Sequence, residues 1–295
     1  LGVVHAIKEL PEETKLVLFG LKEEIYSQLN KLNCSPKELE IVHCQETIKM
    51  EEHATKAFRS KPESSIAKGF EYLKSGKIDG FASAGNTGAI FVGSFYAVKA
   101  IPGVFRPPLS TLIPRANGGS TVLLDVGANV DCKPEVLYQF GILGSLFSKY
   151  VSGIENPKVA LLNIGEEKCK GGSTSQATYD LMENNNDFEF IGNCEGRDIF
   201  NSEIDVIVCD GFTGNIVLKE AEGIYEIMKQ RNLLDDFFER LNYEDYGGTP
   251  VLGLNKPVII GHGISNDIAI KNMILLTQNI INADLTNKIK NNIKE

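Results

Sequence analysis

The chain lacks most of the features that would assign it to a specialised class of protein. Its 295 residues contain no run of 18 apolar residues, so the sequence predicts no membrane-spanning helix. Six cysteines are scattered without a Cys-x-x-Cys pair, a spacing that is poor for zinc and typical of reduced thiols in a cytosol. Histidine occurs only four times, and there is no internal repeat or low-complexity tract.

Positive charge is also scarce. The 30 lysines and arginines are outnumbered by 39 acidic residues, and the net charge of −9 argues against general nucleic-acid binding. A hydrophobic content of 42% is typical of a soluble globular protein with a large core. No signal peptide is recognised, and the scattered thiols are typical of a reducing cytosol, so we expect a cytoplasmic location. Because the sequence opens at Leu1 rather than Met, we expect its natural start to lie upstream.

Short apolar runs that end in polar or glycine-rich turns predict buried parallel strands. These runs are Leu16 to Phe19, Ile78 to Ala82, Val122 to Leu124, Val159 to Leu162, Val206 to Val208 and Val258 to Ile260. Helical periodicity lies between them, over Ser64 to Leu73, Pro134 to Tyr150, Asn215 to Met228 and Asp267 to Ile281. The alternation predicts an α/β fold with a doubly wound, mostly parallel sheet.

Two loops rich in glycine, asparagine and threonine follow predicted strands, at residues 83–89 and 210–215. Each leads into a predicted helix, where backbone N–H groups and the helix dipole favour an anion. The two loops therefore predict one shared site for a phosphate-like or carbonyl-like group. The alternative is that both are ordinary helix caps, for which Asn, Thr and Gly are also suited.

Cysteine nucleophiles are a weaker alternative. Cys132 and Cys194 lie near these motifs, but neither has a base beside it in the sequence. Cys209 lies in an apolar strand and is interpreted as a core residue.

Six motifs taken together carry a resemblance to a known family. In order they are Ser83-Ala84-Gly85-Asn86-Thr87-Gly88-Ala89, Arg106-Pro107-Pro108-Leu109, Leu124-Asp125-Val126-Gly127-Ala128-Asn129, Gly192-Asn193-Cys194-Glu195-Gly196-Arg197-Asp198, Asp210-Gly211-Phe212-Thr213-Gly214-Asn215 and Tyr246-Gly247-Gly248. In this order and over nearly the whole chain, they resemble the PlsX family of phosphate acyltransferases of bacterial phospholipid synthesis.

This resemblance implies a fold similar to isopropylmalate dehydrogenase and phosphotransacetylase, in a homodimer with peripheral membrane contact. It implies that a long-chain acyl group passes from acyl-carrier protein to inorganic phosphate, and that the acyl phosphate feeds a membrane-embedded acyltransferase of phospholipid synthesis. We predict a single α/β catalytic domain over residues 1–295, with a helical excursion at about 220–246.

The sequence departs from the family pattern at three places. The family's first strand and its Asp-Ala-Met-Gly-Gly-Asp loop are not found before Leu1. The helical excursion is shorter than usual, which suggests a gap near Arg231. Ile264 stands in His262-Gly263-Ile264-Ser265 where the family has a serine.

Attack of phosphate on a thioester makes modest chemical demands. Phosphate is already anionic, and a thiol with a pKa near ~8.5 leaves readily as thiolate. Positioning and charge stabilisation should suffice, so we expect no covalent intermediate, no metal and no cofactor. The predicted catalytic residues are Asn86, Thr87, Asn129, Lys219 and His262. The predicted phosphate- or substrate-binding residues are Ser83, Gly85, Gly88, Asp125, Lys133, Asn193, Arg197, Asp210, Thr213, Asn215 and Ser265.

Several of these residues have a structural alternative. Asp210 could only brace the turn that follows it, and Lys219 could be a solvated helix lysine. Arg197, between two carboxylates in sequence, could be an ion-pair hub. His262 could protonate the leaving thiolate or could be a structural residue at a strand end.

The implied carrier protein is acidic, so docking needs a basic surface. The candidates are Arg59, Lys61, Lys68, Lys99, Arg106 and Arg115. Three other functions stay open at this stage. One is a short-chain phosphotransacetylase that uses coenzyme A. Another is a nicotinamide-dependent dehydrogenase of the same fold, although no Gly-x-Gly-x-x-Gly fingerprint is present. The last is a carrier-binding scaffold without turnover.

Overall fold

A computed structural model describes residues 1–34, 39–201 and 203–293. Its helices are α1 (Gly2–Ile7), α2 (Lys22–Lys31), α3 (Ala54–Ser60), α4 (Ser65–Lys74), α5 (Thr87–Gly93), α6 (Pro134–Tyr150), α7 (Ser173–Glu183), α8 (Gly211–Gln230), α9 (Asp236–Glu239), α10 (Tyr243–Tyr246), α11 (Asp267–Asn282) and α12 (Leu285–Asn292). Its strands are β1 (Leu16–Gly20), β2 (Leu39–His43), β3 (Phe81–Ser83), β4 (Ser110–Pro114), β5 (Ser120–Leu124), β6 (Lys158–Leu162), β7 (Glu189–Cys194), β8 (Val206–Val208), β9 (Thr249–Pro250) and β10 (Val258–Ile260).

The chain divides into two compact units. Unit 1 comprises residues 1–99, 244–248 and 254–281, and unit 2 comprises residues 100–243, 249–253 and 282–295. Strands alternate with helices in both units, so the predicted α/β class is confirmed. That the whole chain acts as one catalytic domain stays a prediction.

Unit 2 is built on a five-stranded sheet in the order β4-β5-β8-β6-β7. The last four strands are parallel, and β4 pairs antiparallel with β5 at the edge. All three residues of β8 are buried, which explains its unbroken apolar sequence. Helix α6 packs on β5 and β8 and buries Phe140 and Leu143 completely. The alternation of strand and helix therefore gives the mostly parallel sheet that the sequence predicts.

Unit 1 contains two parallel strand pairs, β1 with β2 and β3 with β10. A cavity of about 740 Å³ is lined by residues of β1, β3 and α11. Among the predicted site residues, only Ser83 belongs to its lining. The cavity therefore does not coincide with the predicted phosphate site.

Local capping explains where the predicted helices begin. Helix α4 begins after Ser64, whose side chain accepts a hydrogen bond from the Ala67 N–H, as its sequence predicts. Helix α8 was predicted from Asn215 and begins instead at Gly211. The reason is that Asp210 caps the preceding turn, so this turn is already helical. The predicted strand over Ile78 to Ala82 is also shifted, since its ladder with β10 begins at Phe81.

The join after α8 is a regular helix ending. Asn232 has φ of 54°, the Leu233 N–H bonds to the Met228 carbonyl, and the Asn232 N–H bonds to the Lys229 carbonyl. These two bonds around a left-handed residue form a Schellman motif. The carbonyls of Met228 and Lys229 at the end of the helix are therefore hydrogen-bonded. A missing segment near Arg231, which the sequence suggests, stays a prediction.

Candidate active site

The loops that carry most of the predicted site lie at one edge of the unit 2 sheet. Because β5, β8, β6 and β7 are parallel neighbours in that order, their carboxyl ends share an edge. The structure thus brings together the loops that follow β5 and β8, and places the loop after β7 further along. Asn193 lies near the end of β7, and the loops and the first turns of the following helices carry Asp125, Asn129, Lys133, Arg197, Asp210, Thr213 and Asn215.

Asp125 is the hydrogen-bonding centre of this edge. Its side chain is fully buried, and Oδ1 accepts from the N–H groups of Leu109 at 3.0 Å and Ala128 at 3.1 Å. Oδ2 accepts from the Asn129 backbone at 2.6 Å and from Asn129 Nδ2 at 2.8 Å. Four donors therefore use the carboxylate, which braces the loops in this arrangement.

Asn129 connects three segments. Its Nδ2 donates to Asp125 and to the Pro107 carbonyl at 3.1 Å, while its own carbonyl accepts from the Gly211 N–H at 2.8 Å. The residue is 8% exposed. Its amide hydrogens are thus used within the protein, and contact with a substrate carbonyl stays an untested prediction.

The first turn of α8 is packed directly against this network. Asp210 Oδ1 accepts from the Thr213 N–H at 2.7 Å, so the predicted bracing role of Asp210 is present. A Cβ on Gly214 would lie 1.9 Å from the Asp125 carbonyl oxygen, closer than any side chain allows. Asn215 is exposed and lies beside Gly127. Only glycine at position 214 lets the helix begin this close to the Asp125 loop.

The three predicted cations of unit 2 have different surroundings. Lys133 precedes α6, is exposed and pairs with no carboxylate in the part of the chain that the structure describes. Lys219 Nζ instead lies 2.7 Å from Glu222 on the same helix. Arg197 pairs with Glu195 at 2.8 Å and with Glu166 at 3.6 Å, the ion-pair arrangement that its sequence had suggested as the alternative.

The sequence interpretation missed the loop after β6, although β6 lies between β8 and β7. Residues 163–172 lead into α7 through Gly171 and Gly172, and α7 begins with three hydroxyl residues and has no side-chain cap. Gln176 Nε2 donates to the carbonyls of Cys169 and Gly171, and Asn193 Nδ2 donates to the Glu167 carbonyl at 3.1 Å. The signal was the run Lys170-Gly171-Gly172-Ser173-Thr174-Ser175, a glycine pair followed by hydroxyls at a helix start.

In unit 1, Asn86 organises the loop before α5. Its Oδ1 accepts from the Ala89 N–H at 2.9 Å, which is the predicted cap. Its Nδ2 donates to the carbonyls of Lys49, Met50 and Glu52 at 2.9 to 3.2 Å. Since Asn86 is 5% exposed and its amide is engaged in this way, it anchors the loop to residues 49–52.

The remaining unit 1 residues lie around this loop. Ser83 Oγ accepts from the Gly85 N–H at 3.2 Å, and Thr87 is exposed at the first position of α5. A Cβ on Gly88 would lie 2.8 Å from the Ala54 Cβ, so Gly88 permits close packing against α3. The N–H groups of Thr87 and Gly88 stand at the helix start without a protein acceptor among the described residues.

The loop after β10 lies beside this one, because β3 and β10 are paired and the Gly261 N–H donates to the Ser83 carbonyl at 2.9 Å. It carries His262 and Ser265, and the Ser265 Oγ is shielded from solvent without a hydrogen-bond partner among the described residues. The structure therefore groups all seven predicted unit 1 residues at one edge.

The buried thiols near the motifs are poor nucleophiles. Burial raises the pKa of Cys132 to about 12, with Asp125 and Asp210 adding to the effect. Burial also raises the pKa of Cys194 to about 12 and that of Cys209 well above its ordinary value. At neutral pH these side chains are protonated, which argues against a covalent thioester intermediate.

Residues 1–34, 39–201 and 203–293 contain no group of three or more His, Cys, Asp or Glu side chains placed to hold a metal ion. No helix among those residues is both long and apolar enough to cross a bilayer.

Comparison with solved structures supports the fold. A phosphotransacetylase described as EutD from Staphylococcus aureus aligns with a TM-score of 0.64 over 94% of this chain and 90% of that chain, at 16% identity. A phosphotransacetylase from Streptococcus pyogenes gives a TM-score of 0.64 over 95% of this chain and 91% of that chain, at 21% identity. The predicted similarity to the phosphotransacetylase fold is confirmed.

Comparison of sequences gives the family. A family profile described as "Fatty acid synthesis protein" matches residues 1–288. A phosphate acyltransferase from Halothermothrix orenii is 41% identical over all of this chain and 93% of its own length. Another from Dictyoglomus turgidum is 40% identical over 98% of this chain and 91% of its own length. The chain belongs to the PlsX family of phosphate acyltransferases.

Proposed function

We propose that this protein transfers a long-chain acyl group from acyl-carrier protein to inorganic phosphate and releases acyl phosphate for phospholipid synthesis. The observation that carries the proposal is membership of the PlsX family over residues 1–288. We propose that it acts in the cytoplasm as a homodimer, with peripheral membrane contact and no nucleic-acid partner. The net charge of −9 supports the last point.

Phosphate binding is assigned to backbone N–H groups rather than to amide side chains. The N–H groups of Thr87 and Gly88 stand at the start of α5, and those of Ser173 to Ser175 stand at the uncapped start of α7. Helix starts favour anions through these donors and through the helix dipole. In this proposal Asn86, Asp125 and Asn129 hold the loops in place, because their side chains are used within the protein.

The proposed reaction is a direct transfer to phosphate without a covalent enzyme intermediate. A phosphate oxygen attacks the thioester carbonyl carbon, and the C–S bond breaks as the tetrahedral intermediate collapses. The sulfur leaves with the electron pair as thiolate and takes a proton from solvent or from His262. Backbone donors stabilise the oxyanion, and Lys133 adds positive charge.

The proposal is tested by following thiol release from long-chain acyl-carrier protein with and without inorganic phosphate, and by trapping acyl phosphate as a hydroxamate. We expect thiol release that depends on phosphate and matches acyl phosphate formation. Faster turnover of acetyl-coenzyme A would identify a short-chain phosphotransacetylase instead. Carrier binding without any phosphate-dependent release would identify a scaffold.

Lys133→Met tests the placement of phosphate in unit 2. Loss of one charge-assisted hydrogen bond is worth about 1.5–3 kcal/mol, so the KM for phosphate should rise roughly 10- to 100-fold. Lys149→Met is the matched control, since Lys149 is exposed in the last turn of the same helix. If both variants and the parent had equal KM values for phosphate, Lys133 would not contribute to phosphate binding.

A further inference from the structure

The six basic residues predicted to bind an acidic carrier differ in whether they already pair with a carboxylate. Lys61 pairs with Glu52 at 2.7 Å, and Lys68 pairs with Glu63 at 3.0 Å. Arg115 is nearly buried and pairs with Asp205 at 2.8 Å. In unit 2, Arg106 stays exposed and donates to the Asp131 carbonyl. In unit 1, Arg59 and Lys99 are exposed and have no carboxylate partner within the described ranges.

Arg59 contacts the Tyr96 side chain, and Lys99 follows Tyr96 by three residues in the chain. We define the Arg59 face as Lys56, Arg59, Phe95, Tyr96 and Lys99. The Arg59 guanidinium donates to the Tyr96 hydroxyl at 2.5 Å and lies 5.0 Å from the centre of its ring. Lys56 is exposed one turn before Arg59 on α3. Phe95 is 38% exposed and Tyr96 is 53% exposed. The face thus combines three cations with two exposed aromatic rings.

Two parts of the Arg59 face are ordered before any partner arrives, the side chain of Arg59 and the backbone of Lys99. Stacking on Tyr96 restricts the Arg59 side chain, so less conformational entropy is lost when it binds. Lys99 has φ of 66° and ψ of 156°, a region that is costly for any residue except glycine. Its carbonyl accepts from the backbone and the side-chain amide of Asn255, and its N–H donates to the Ser94 carbonyl.

The Arg59 face is also tied to the proposed phosphate loop. Helix α3 packs against α5, and its first residue, Ala54, lies against Gly88. The segment before α3 is held by Asn86 through three carbonyls. At 1.5 Å per residue, Arg59 lies about 8 Å along the α3 axis from Ala54. A partner on this face would therefore sit beside the start of α5.

We propose that the Arg59 face docks the acidic surface of the acyl-carrier protein and directs its thioester to the start of α5, an inference that rests on the proposed function. Most of a chain with net charge −9 repels an acidic partner, so an unpaired cationic patch defines where such a partner can approach. Arginine and tyrosine are also the residues that most often dominate binding energy at interfaces. A membrane surface would match the same cations, but it would not require the coupling to the loop that Asn86 anchors.

Arg59→Glu tests the proposal, with Lys74→Glu as the matched control. Both cations are exposed in the last turn of a unit 1 helix, so both substitutions remove the same favourable contact with the helix dipole. Initial rates would be measured with the same acyl group on the carrier protein and on pantetheine, which is uncharged. We expect Arg59→Glu to lower kcat/KM for the carrier substrate about tenfold or more, through KM, and to leave turnover of acyl-pantetheine unchanged. Lys74→Glu should change neither, and the preference of the parent for the carrier should weaken as salt is raised.

Three results would overturn the proposal. Unchanged kcat/KM of Arg59→Glu with the carrier would show that the carrier docks elsewhere. An equal loss on both donors would show that Arg59 acts through the loop. If Arg59→Glu bound phosphatidylglycerol vesicles more weakly than the parent but had unchanged kinetics with the carrier, the Arg59 face would contact lipid and not the carrier. If the parent released no thiol from either donor, the proposed function would fail, and direct binding of the carrier to the parent and to Arg59→Glu would decide the docking face separately.

Discussion

The substitution Asp125→Asn tests whether the Asp125 carboxylate stabilises the fold more than the Asp210 carboxylate, which caps helix α8. The Asp125 carboxylate is fully buried and accepts four hydrogen bonds, two on each oxygen. An asparagine has nearly the same shape but replaces one acceptor oxygen with an NH₂ donor. Whichever way the amide turns, two of the four donors would then face another donor.

The expected cost follows from those two lost bonds. Hydrogen bonds to a charged group contribute about 1.5–3 kcal/mol each, so the variant should lose roughly 3–6 kcal/mol of stability. A change of 1 kcal/mol shifts the melting temperature by about 2–4 °C for a domain of 150–250 residues. We therefore expect the melting temperature of unit 2 to fall by on the order of 10 °C or more.

Asp210→Asn is the matched control, because Asp210 follows the neighbouring strand β8 at the same edge of the sheet and caps α8. Among the described residues, its carboxylate accepts one hydrogen bond, from the Thr213 N–H at 2.7 Å. Asparagine is as good an N-cap as aspartate, and the lost interaction with the helix dipole is worth about 0.3–1 kcal/mol. The melting temperature should fall by no more than roughly 4 °C.

Thermal unfolding of both variants, followed by circular dichroism at one protein concentration, checks the prediction. Phosphate-dependent thiol release at a temperature where both are folded gives a second readout. Equal melting temperatures for the two variants would refute the assignment of Asp125 as the centre of the loop network. A large loss of turnover in a stable Asp210→Asn protein would show that Asp210 contacts substrate rather than bracing the turn.

Two further substitutions test the packing of α8 and the chemistry. Gly214→Ala would put a Cβ 1.9 Å from the Asp125 carbonyl oxygen, so it should lower the free energy of unfolding by about 1–3 kcal/mol or more. Gly223→Ala is the control in the same helix, because its Cβ would meet no atom within 4 Å, and it should raise the free energy of unfolding by about 0.5–1 kcal/mol. Both values would be measured by urea unfolding, and destabilisation by both substitutions would contradict the packing described. Cys132→Ser should keep kcat within about threefold, because a thiol with a pKa of about 12 is only about 10⁻⁵ ionised at pH 7, while loss of a true nucleophile would lower kcat by about 10⁴ or more.

Much of the fold was predictable because it depends on local patterns. The boundaries of α6, Pro134–Tyr150, match the prediction, since a proline at the first position and a long apolar periodicity define them. The cap at Ser64 was equally visible. By contrast, β4 was not predicted, because its five residues pair antiparallel at a sheet edge and lack a distinctive apolar run. The α7 start was missed although Gly171 and Gly172 marked it.

The sequence by itself determined the order of strands and helices and the turns whose polar residues follow each strand, because periodicity and capping act within a few residues. Only the tertiary structure decided which polar side chains are used within the protein. Asn86 bonds to carbonyls 34 to 37 residues away, and Arg59 meets Tyr96 at a separation of 37 residues. Such partners depend on how distant segments pack, so no local pattern could show that Asn86 anchors a loop or that Arg59 stacks on an exposed ring.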